Sequence, residues 1–424
     1  MLKKKQYLSI NFIFPIVFSV FIFPITNCCK DKKLISSSNK IKDTVSNKNR
    51  FTILNSKKLR TVKKEIENKS EIYLVAYKSL IAGANQALKE GPFSVTNKTQ
   101  LPPSGDKRDY MSIGPYWWPD TKKPDGLPWI RRDGQVNPLT EGNNLDLTRK
   151  NKMFHNTYRL AMAHYFTGNK TYANKAIELL KVWFLDEETK MNPNLNYAQA
   201  IPGKTKGRGI GIIEFIGVKE LINTIDLLEL HNSMDTSTSE GLRLWLKKYL
   251  YWLQHSKNGL DEKKWPNNHG TWYDVQEVSI LMFLHRFKEA KQVLERSKDR
   301  IESQIEIDGT LPLELKRTRP LHYTAYNLEA FTYLAYFGKQ LHVDLWSYQT
   351  QKTGGLEAAY QFLSPYILKE KEWTYTEISG VDKGIETSKE IFLMAGNMFN
   401  IPEYTVIGLS MNEKDSFKIL SYLF

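Results

Sequence analysis

From Ser70 onward, apolar side chains recur at three- and four-residue steps: Tyr73, Ala76, Tyr77, Leu80, Ala84, Ala87 and Leu88. That spacing lines one face of a helix, which Gly91-Pro92 ends. The same period returns from Leu147 to Phe166, stops at Gly168-Asn169, and resumes from Tyr172 to Phe184. Ile212 to Leu230 follows, and then a stretch opened by a capping box, Ser237 with Glu240, and running to Leu253. Further helices are predicted at Val275–Phe287, Glu289–Ile305, Pro320 to Phe337, Leu356–Leu363 and Ile385–Phe399, with a turn at Asp308-Gly309. Pro320 suits a first helical turn. Strand-like alternation is scarce and no sequence repeat of fixed period is present. Helices in pairs joined by short turns, without the repeat a solenoid normally shows, predict an all-α protein: an (α/α) toroid, an incomplete α/α barrel with long loops lining a cleft or tunnel.

Two segments break the helical pattern. Residues 93–145 are rich in Pro and Gly and carry Tyr116-Trp117-Trp118-Pro119-Asp120 and Trp129-Ile130-Arg131-Arg132-Asp133-Gly134. A loop this long inside a domain is usually functional or disordered, and its Trp, Tyr and Arg content argues against disorder. Aromatic faces can stack on sugar rings and Arg forks can pair with carboxylates; the same Trp side chains could equally pin the loop to the body. The second segment, Met191 to Gly203, is polar and holds Asn196, Tyr197 and Gln199, with Arg208 just beyond.

Composition narrows the class. The 424 residues are 25% charged and 41% hydrophobic, as in a soluble globular protein, with 10 Trp, 22 Tyr and 20 Phe for a thick core or a ring-lined groove. Residues 1–27 read as a secretory signal: Lys3-Lys4-Lys5, then an apolar run broken by Asn11, Pro15, Ser19 and Pro24. The run ends at Cys28-Cys29, the only cysteines, so that Cys28 resembles the lipidated first residue of a bacterial lipoprotein, although Asn27 is not the usual small residue before it. An exported, periplasmic or cell-surface location is expected. Residues 28–58, rich in Lys, Ser and Asn, read as a flexible tether, and 59–424 as one domain. The net charge of +14 falls to +11 without the signal. A basic exported chain fits a polyanionic polysaccharide better than nucleic acid. The membrane is expected only through a lipid anchor, and a solvated lysine-rich surface explains the charge equally well.

One stretch gathers chemistry: Trp265-Pro266-Asn267-Asn268-His269-Gly270-Thr271-Trp272-Tyr273-Asp274. An amide pair beside a histidine makes poor core material, because buried polar groups need partners; alone it reads as a helix cap with one core histidine. Downstream, Arg319, Tyr323 and Tyr326 fall at i, i+4 and i+7, one helix face, with His322 bordering it. Amide, imidazole, guanidinium and phenol together suit β-elimination on a uronic acid. The carboxylate must be neutralised so that charge can build as the C5 proton leaves. A base takes that proton and an acid protonates the C4 oxygen. Neither metal nor organic cofactor is required, and the remaining histidines show no metal-ligand spacing.

Asn267-Asn268-His269, followed by a Trp, and Arg319-Pro-Leu-His-Tyr-Thr-Ala-Tyr326-Asn-Leu resemble the alginate lyase superfamily. The Asn-His pair and the Arg–Tyr spacing of seven are similar to polysaccharide lyase family 5. The Tyr-Trp-Trp-Pro-Asp and Arg-Arg-Asp-Gly runs look more like family 38, the glucuronan and alginate lyases. The resemblance spans roughly residues 70–400 and implies an (α/α) toroid that depolymerises alginate or a related polyuronate. It implies that Asn268 neutralises the carboxylate, that His269 assists or acts as base, that Arg319 holds the carboxylate and lowers the Tyr326 pKa, and that Tyr326 is the acid and, for mannuronate-type residues, also the base. Tyr323 rivals Tyr326 as the phenol. Tyr323, His322, Trp117, Trp118, Arg131, Arg132, Asn196, Gln199, Arg208 and Trp272 are candidates for sugar contacts. Gly270-Thr271 after the histidine, and Thr318 and Pro320 around Arg319, depart from family 5 and put substrate choice in doubt. A glycoside hydrolase with a carboxylate pair drawn from Asp120, Asp125, Asp133, Glu214 and Asp274, and a non-catalytic polysaccharide-binding lipoprotein, are the competing readings.

Overall fold

The computed structural model describes residues 51–230 and 232–421. The signal, Cys28 and most of the expected tether lie outside them. The packed domain begins earlier than composition suggests: Phe51, Ile53 and Leu54 are buried, and the Thr52 N–H donates to Asp226 at 2.6 Å. Residues 51–58 are therefore body rather than tether, because three apolar side chains in a lysine-rich stretch suffice to dock it.

Helices dominate. In chain order they are α1 (Ser56–Glu67), α2 (Glu71–Ala87), α3 (Leu147–Thr167), α4 (Lys170–Phe184), α5 (Val218–Leu230), α6 (Thr236–His255), α7 (Lys257–Lys263), α8 (Asn268–Phe283), α9 (Phe287–Gln304), α10 (Pro312–Leu315), α11 (Pro320–Leu341), α12 (Gly355–Ile367), α13 (Val381–Phe399) and α14 (Pro402–Leu409). Helices α3, α5, α8, α11 and α13 pack one against the next as an inner ring, and α4, α6, α9, α12 and α14 cover it from outside. This is an α/α toroid.

The two rings differ in sequence for a physical reason. Outer helix α9 buries one stripe, Ala290, Val293, Leu294, Ser297 and Ile301, and is otherwise wet. Inner helix α8 is buried along its whole length, His269 excepted, so it has no polar face for a period to show. The helix expected over Val275–Phe287, with the Asn-His run as its cap, accordingly begins inside that run. The helix begins at Asn268, capped by Asn267, whose side chain accepts from the His269 N–H. The buried acids of α8 are matched by α9: Arg296 pairs with Asp274 and Glu277 at 2.8 and 3.1 Å, and Arg300 with Asp274 at 2.5 Å. The capping box expected at Ser237 is also displaced, since Asp235 caps α6 by accepting from the Thr238 N–H at 2.7 Å.

The run expected as one helix from Ile212 instead starts as a 3₁₀ turn, Gly209–Phe215, before α5. The turn is pressed against its neighbours: a Cβ on Gly209 would lie 2.7 Å from the Asn258 carbonyl oxygen, and one on Gly211 2.7 Å from the Ala198 carbonyl carbon. Two short strand pairs stitch the loops over one end of the ring. Strand β1 (Met111–Ile113) runs parallel to β4 (Tyr197–Ala200), and β2 (Trp117–Trp118) antiparallel to β3 (Ile130–Arg131). Among the described residues no helix is long and apolar enough to cross a membrane.

Candidate active site

A cleft of about 760 Å³ opens where the loops meet the ends of α8 and α11. Asn267, Asn268 and His269 line one wall, and Arg317, His322, Tyr323 and Tyr326 another. Tyr116, Trp117, Arg131, Gln199 and Arg208 come from the loops. The two motifs some fifty residues apart in sequence thus face one space. Trp272 ties their helices together: its indole N–H donates to the Tyr326 carbonyl at 3.1 Å and its ring lies 5.1 Å from the Tyr326 ring.

The Asn-His pair is held by two buried carboxylates that the sequence reading did not single out. Glu314 accepts from the Asn268 backbone N–H at 2.7 Å and from its side-chain amide at 2.8 and 3.0 Å, and also from Asn327 at 3.2 Å. Burial pushes the Glu314 carboxyl up from its ordinary value. The Asn268 Oδ1 is buried without a partner. Glu262 of α7 lies 2.7 Å from His269 Nδ1. Neither carboxylate lines the cleft.

The tyrosines differ in their partners. The Tyr323 hydroxyl meets the Tyr116 hydroxyl at 2.7 Å, and the Arg317 guanidinium lies 3.8 Å from its ring centre. Tyr326 stacks on His322 at 5.7 Å, nearly parallel. Both phenols are pushed up from 10, Tyr323 by burial and then Tyr116, Tyr326 by burial and then Glu329. Both are neutral hydroxyls in the free protein. His322 is pushed down to about 4 by burial and by Arg319 and Arg317, so it is a neutral imidazole.

The guanidinium expected at Arg319 is not in the cleft; Arg319 Nε donates to Ser379 at 3.2 Å. The helix-face reading counted Arg319 as a helical residue, yet it is the N-cap, with an extended φ of −133°. Arg317 takes the place in the cleft. It is fixed by Asp133 of the long loop at 3.0 and 3.2 Å, and Thr318 holds the same carboxylate at 3.1 Å. The loop candidates sort by strand register. Trp117 and Arg131 are cross-strand partners and both line the cleft. Trp118 points to the other face, as strand alternation requires; Arg132 packs 5.0 Å from its ring, and neither lines the cleft. Lys204 and Arg208 lie 4.6 and 5.7 Å from the Trp117 ring centre. Arg208 also donates to the Gln199 backbone and side-chain oxygens, both at 3.0 Å. Burial and then Arg131 lower Arg208 to about 10, which leaves it a cation at neutral pH. Asn196 is spent on the Trp252 indole at 2.9 Å, outside the cleft. Trp272 is fully buried core rather than a stacking platform.

The Alginate lyase family model matches residues 94–373. An alginate lyase from Bacteroides ovatus is 37% identical, covering 88% of this chain and 100% of its own, with a TM-score of 0.83. The chain belongs to the alginate lyase family. Alginate lyase A1-III from Sphingomonas species A1 shares the fold at 16% identity and a TM-score of 0.53, over 88% of this chain and 96% of its own. A variant of that enzyme complexed with a tetrasaccharide matches at 16% identity and a TM-score of 0.55, over 90% and 97%. No curated protein matches. This family member is a polysaccharide lyase, and its cleft lies within the matched span. The Arg-x-Arg doublet at 317 and 319 is the signal the sequence holds for Arg317, and Tyr116 stands in the Tyr-Trp-Trp-Pro-Asp run, whereas nothing along the chain marks the two buried carboxylates.

Proposed function

We propose that this lyase cleaves a uronic-acid polymer, alginate or polymannuronate or glucuronan, by β-elimination that leaves 4,5-unsaturated ends. The observation that carries the reading is the charge of the cleft. Three guanidiniums, Arg131, Arg208 and Arg317, line it with two histidines and three tyrosines, and none of the described lining residues is a carboxylate. A polyanion is attracted and desolvated there. Arg317 and Asn268 neutralise the carboxylate at the reacting sugar, and Arg208 with Trp117 receives a neighbouring one. For Asn268 this requires its amide N–H₂ to turn to the cleft while a protonated Glu314 donates to Oδ1. Tyr326, a neutral phenol, is the acid that protonates the departing C4 oxygen, with Tyr323 beside it.

The same charge disfavours a glycoside hydrolase, which needs two carboxyl groups flanking the bond. Of the acids that could have served, Asp274 is buried against Arg296 and Arg300, Glu214 is buried beneath Tyr110 and Ser112, and Asp133 is paired with Arg317. Asp120 and Asp125 do not line the cleft. Residues 1–27 and Cys28 support export and lipid anchoring, which we infer from sequence alone. The test is a panel of alginate blocks, glucuronan and neutral glycans, followed by ultraviolet absorbance of unsaturated ends. We expect signal on at least one polyuronate and none on neutral glycans. Reducing ends appearing without that absorbance would point to hydrolysis instead.

A further inference from the structure

Beside the reacting space, His269 has an arrangement that a core histidine does not need. Glu262 is wholly buried, and its Oε1 lies 2.7 Å from His269 Nδ1. Its second oxygen, Oε2, has no hydrogen-bond partner. Burying an acceptor without a partner costs stability, so a helix chosen for packing alone would carry an apolar residue there. The carboxylate is also firmly placed. Helix α7 docks on Gly209 so tightly that a Cβ there would lie 3.1 Å from the Glu262 nitrogen. The Trp265 ring, 5.9 Å from the imidazole, flanks the histidine.

With the Glu262 carboxylate as the acceptor of this contact, the shared hydrogen sits on Nδ1. That fixes the tautomer and leaves the Nε2 lone pair without a protein partner among the described residues, on a side chain that lines the cleft. We propose that Glu262 is the positioning residue that makes His269 the proton acceptor of the elimination, a proposal that rests on the polyuronate lyase reading above. His269 Nε2 takes the C5 proton. The C5–H electron pair becomes the C4–C5 double bond, and the C4–O4 bond breaks with its pair on O4. The Tyr326 hydroxyl gives its proton to O4. The imidazolium so formed faces the Glu262 carboxylate, which stabilises it as the buried aspartate of a catalytic triad does. Passing that proton by way of solvent to the Tyr326 phenolate restores the starting state. Glu262 also contributes, behind burial and nearer groups, to keeping Tyr326 protonated. One buried charge thus favours a base on one wall and an acid on the other.

The test combines a tautomer signature with kinetics. In ¹⁵N NMR of the full chain, with His269→Gln to assign the signal, we expect His269 to carry its hydrogen on Nδ1, and Glu262→Gln to lose that single-tautomer pattern. Glu262→Gln should lower kcat by about 10²-fold, within the range seen when the partner orienting a catalytic or metal-bound His is lost, and leave KM within about twofold. Glu262→Asp should recover part of the loss. The double variant with His269→Gln should be no slower than His269→Gln alone, since the two act as a unit. Melting temperatures check that each variant folds. An Nε2-protonated wild type, an unchanged kcat in Glu262→Gln, or additive losses in the double variant would overturn the proposal. A wild type silent on every polyuronate would remove the substrate reading instead, while the ¹⁵N spectrum still decides the Glu262–His269 contact.

Discussion

Tyr326 and Arg317 concentrate the chemistry that single side chains can test. Replacing Tyr326 by Phe keeps the ring that stacks on His322 and lies against Trp272 and removes only the hydroxyl. We expect kcat to fall by about 10²–10⁴, the usual worth of a general acid, with KM little changed. Arg317→Ala removes the guanidinium over Tyr323 and should cost on the order of 10²–10³ in kcat/KM, as loss of a charge-stabilising donor does. Arg319→Ala, which loses a contact to Ser379 outside the cleft, should cost far less. Steady-state kinetics on the two variants side by side decide the matter. A larger loss at Arg319 would mean that it swings into the cleft when substrate binds. At this scale the sequence motifs fall on the segments that line the cleft, but not on every side chain that does. Arg317 and Arg319 are two positions apart, and only the turn before Pro320 sets which one lines the cleft.

Helix α8 shows how an element, rather than a residue, builds the site. Its first turn must present His269 to the cleft while Glu314 holds Asn268 and α9 holds Asp274. Gly270 makes that approach possible, because a Cβ there would overlap the Trp265 carbonyl oxygen and the Arg300 guanidinium. Alanine is the better helix former by about 1 kcal/mol, yet we expect Gly270→Ala to destabilise the protein by about 1–3 kcal/mol through overpacking. Activity should fall too, because the first turn of α8 carries the Asn-His pair. A melting temperature at or above that of the wild type would show that the start of α8 has room to spare. The loop arm obeys a similar logic: the β2–β3 register sends Trp117 and Arg131 inward together, and Trp118 and Ile130 outward together.

Across the whole molecule, the N-terminal segment closes the body through Phe51, Ile53, Leu54 and the Thr52–Asp226 hydrogen bond. Burial raises the Asp226 carboxyl to about 7. A group whose folded pKa lies above its unfolded value contributes stability that is present below the unfolded pKa, near 4, and is lost as pH rises through the folded one. Stability from this site should therefore decline between about pH 4 and 7 and then level off. Asp226→Asn can still accept from Thr52 and never ionises. Its melting temperature should exceed that of the wild type by more at pH 8 than at pH 4.5, read by calorimetry, and an equal difference at both would refute the assignment.

The sequence alone determined a good deal: helices and their pairing, the unhelical loops, and the Asn268-His269 and Tyr326 motifs. These are local or periodic properties, written in the spacing of apolar residues, in turn residues such as Gly168 and Pro320, and in runs of side chains adjacent along the chain. It missed the start of α8 because an inner helix, buried on every side, has no amphipathic stripe to read. What only the tertiary structure decided was direction and partnership. Arg317 rather than Arg319 reaches the cleft, and Trp117 rather than Trp118, because side-chain direction follows the backbone angles of one turn and the register of one strand pair. Glu262 and Glu314 belong to the site because α7 and α10 are folded against α8, a proximity that no spacing along the chain records.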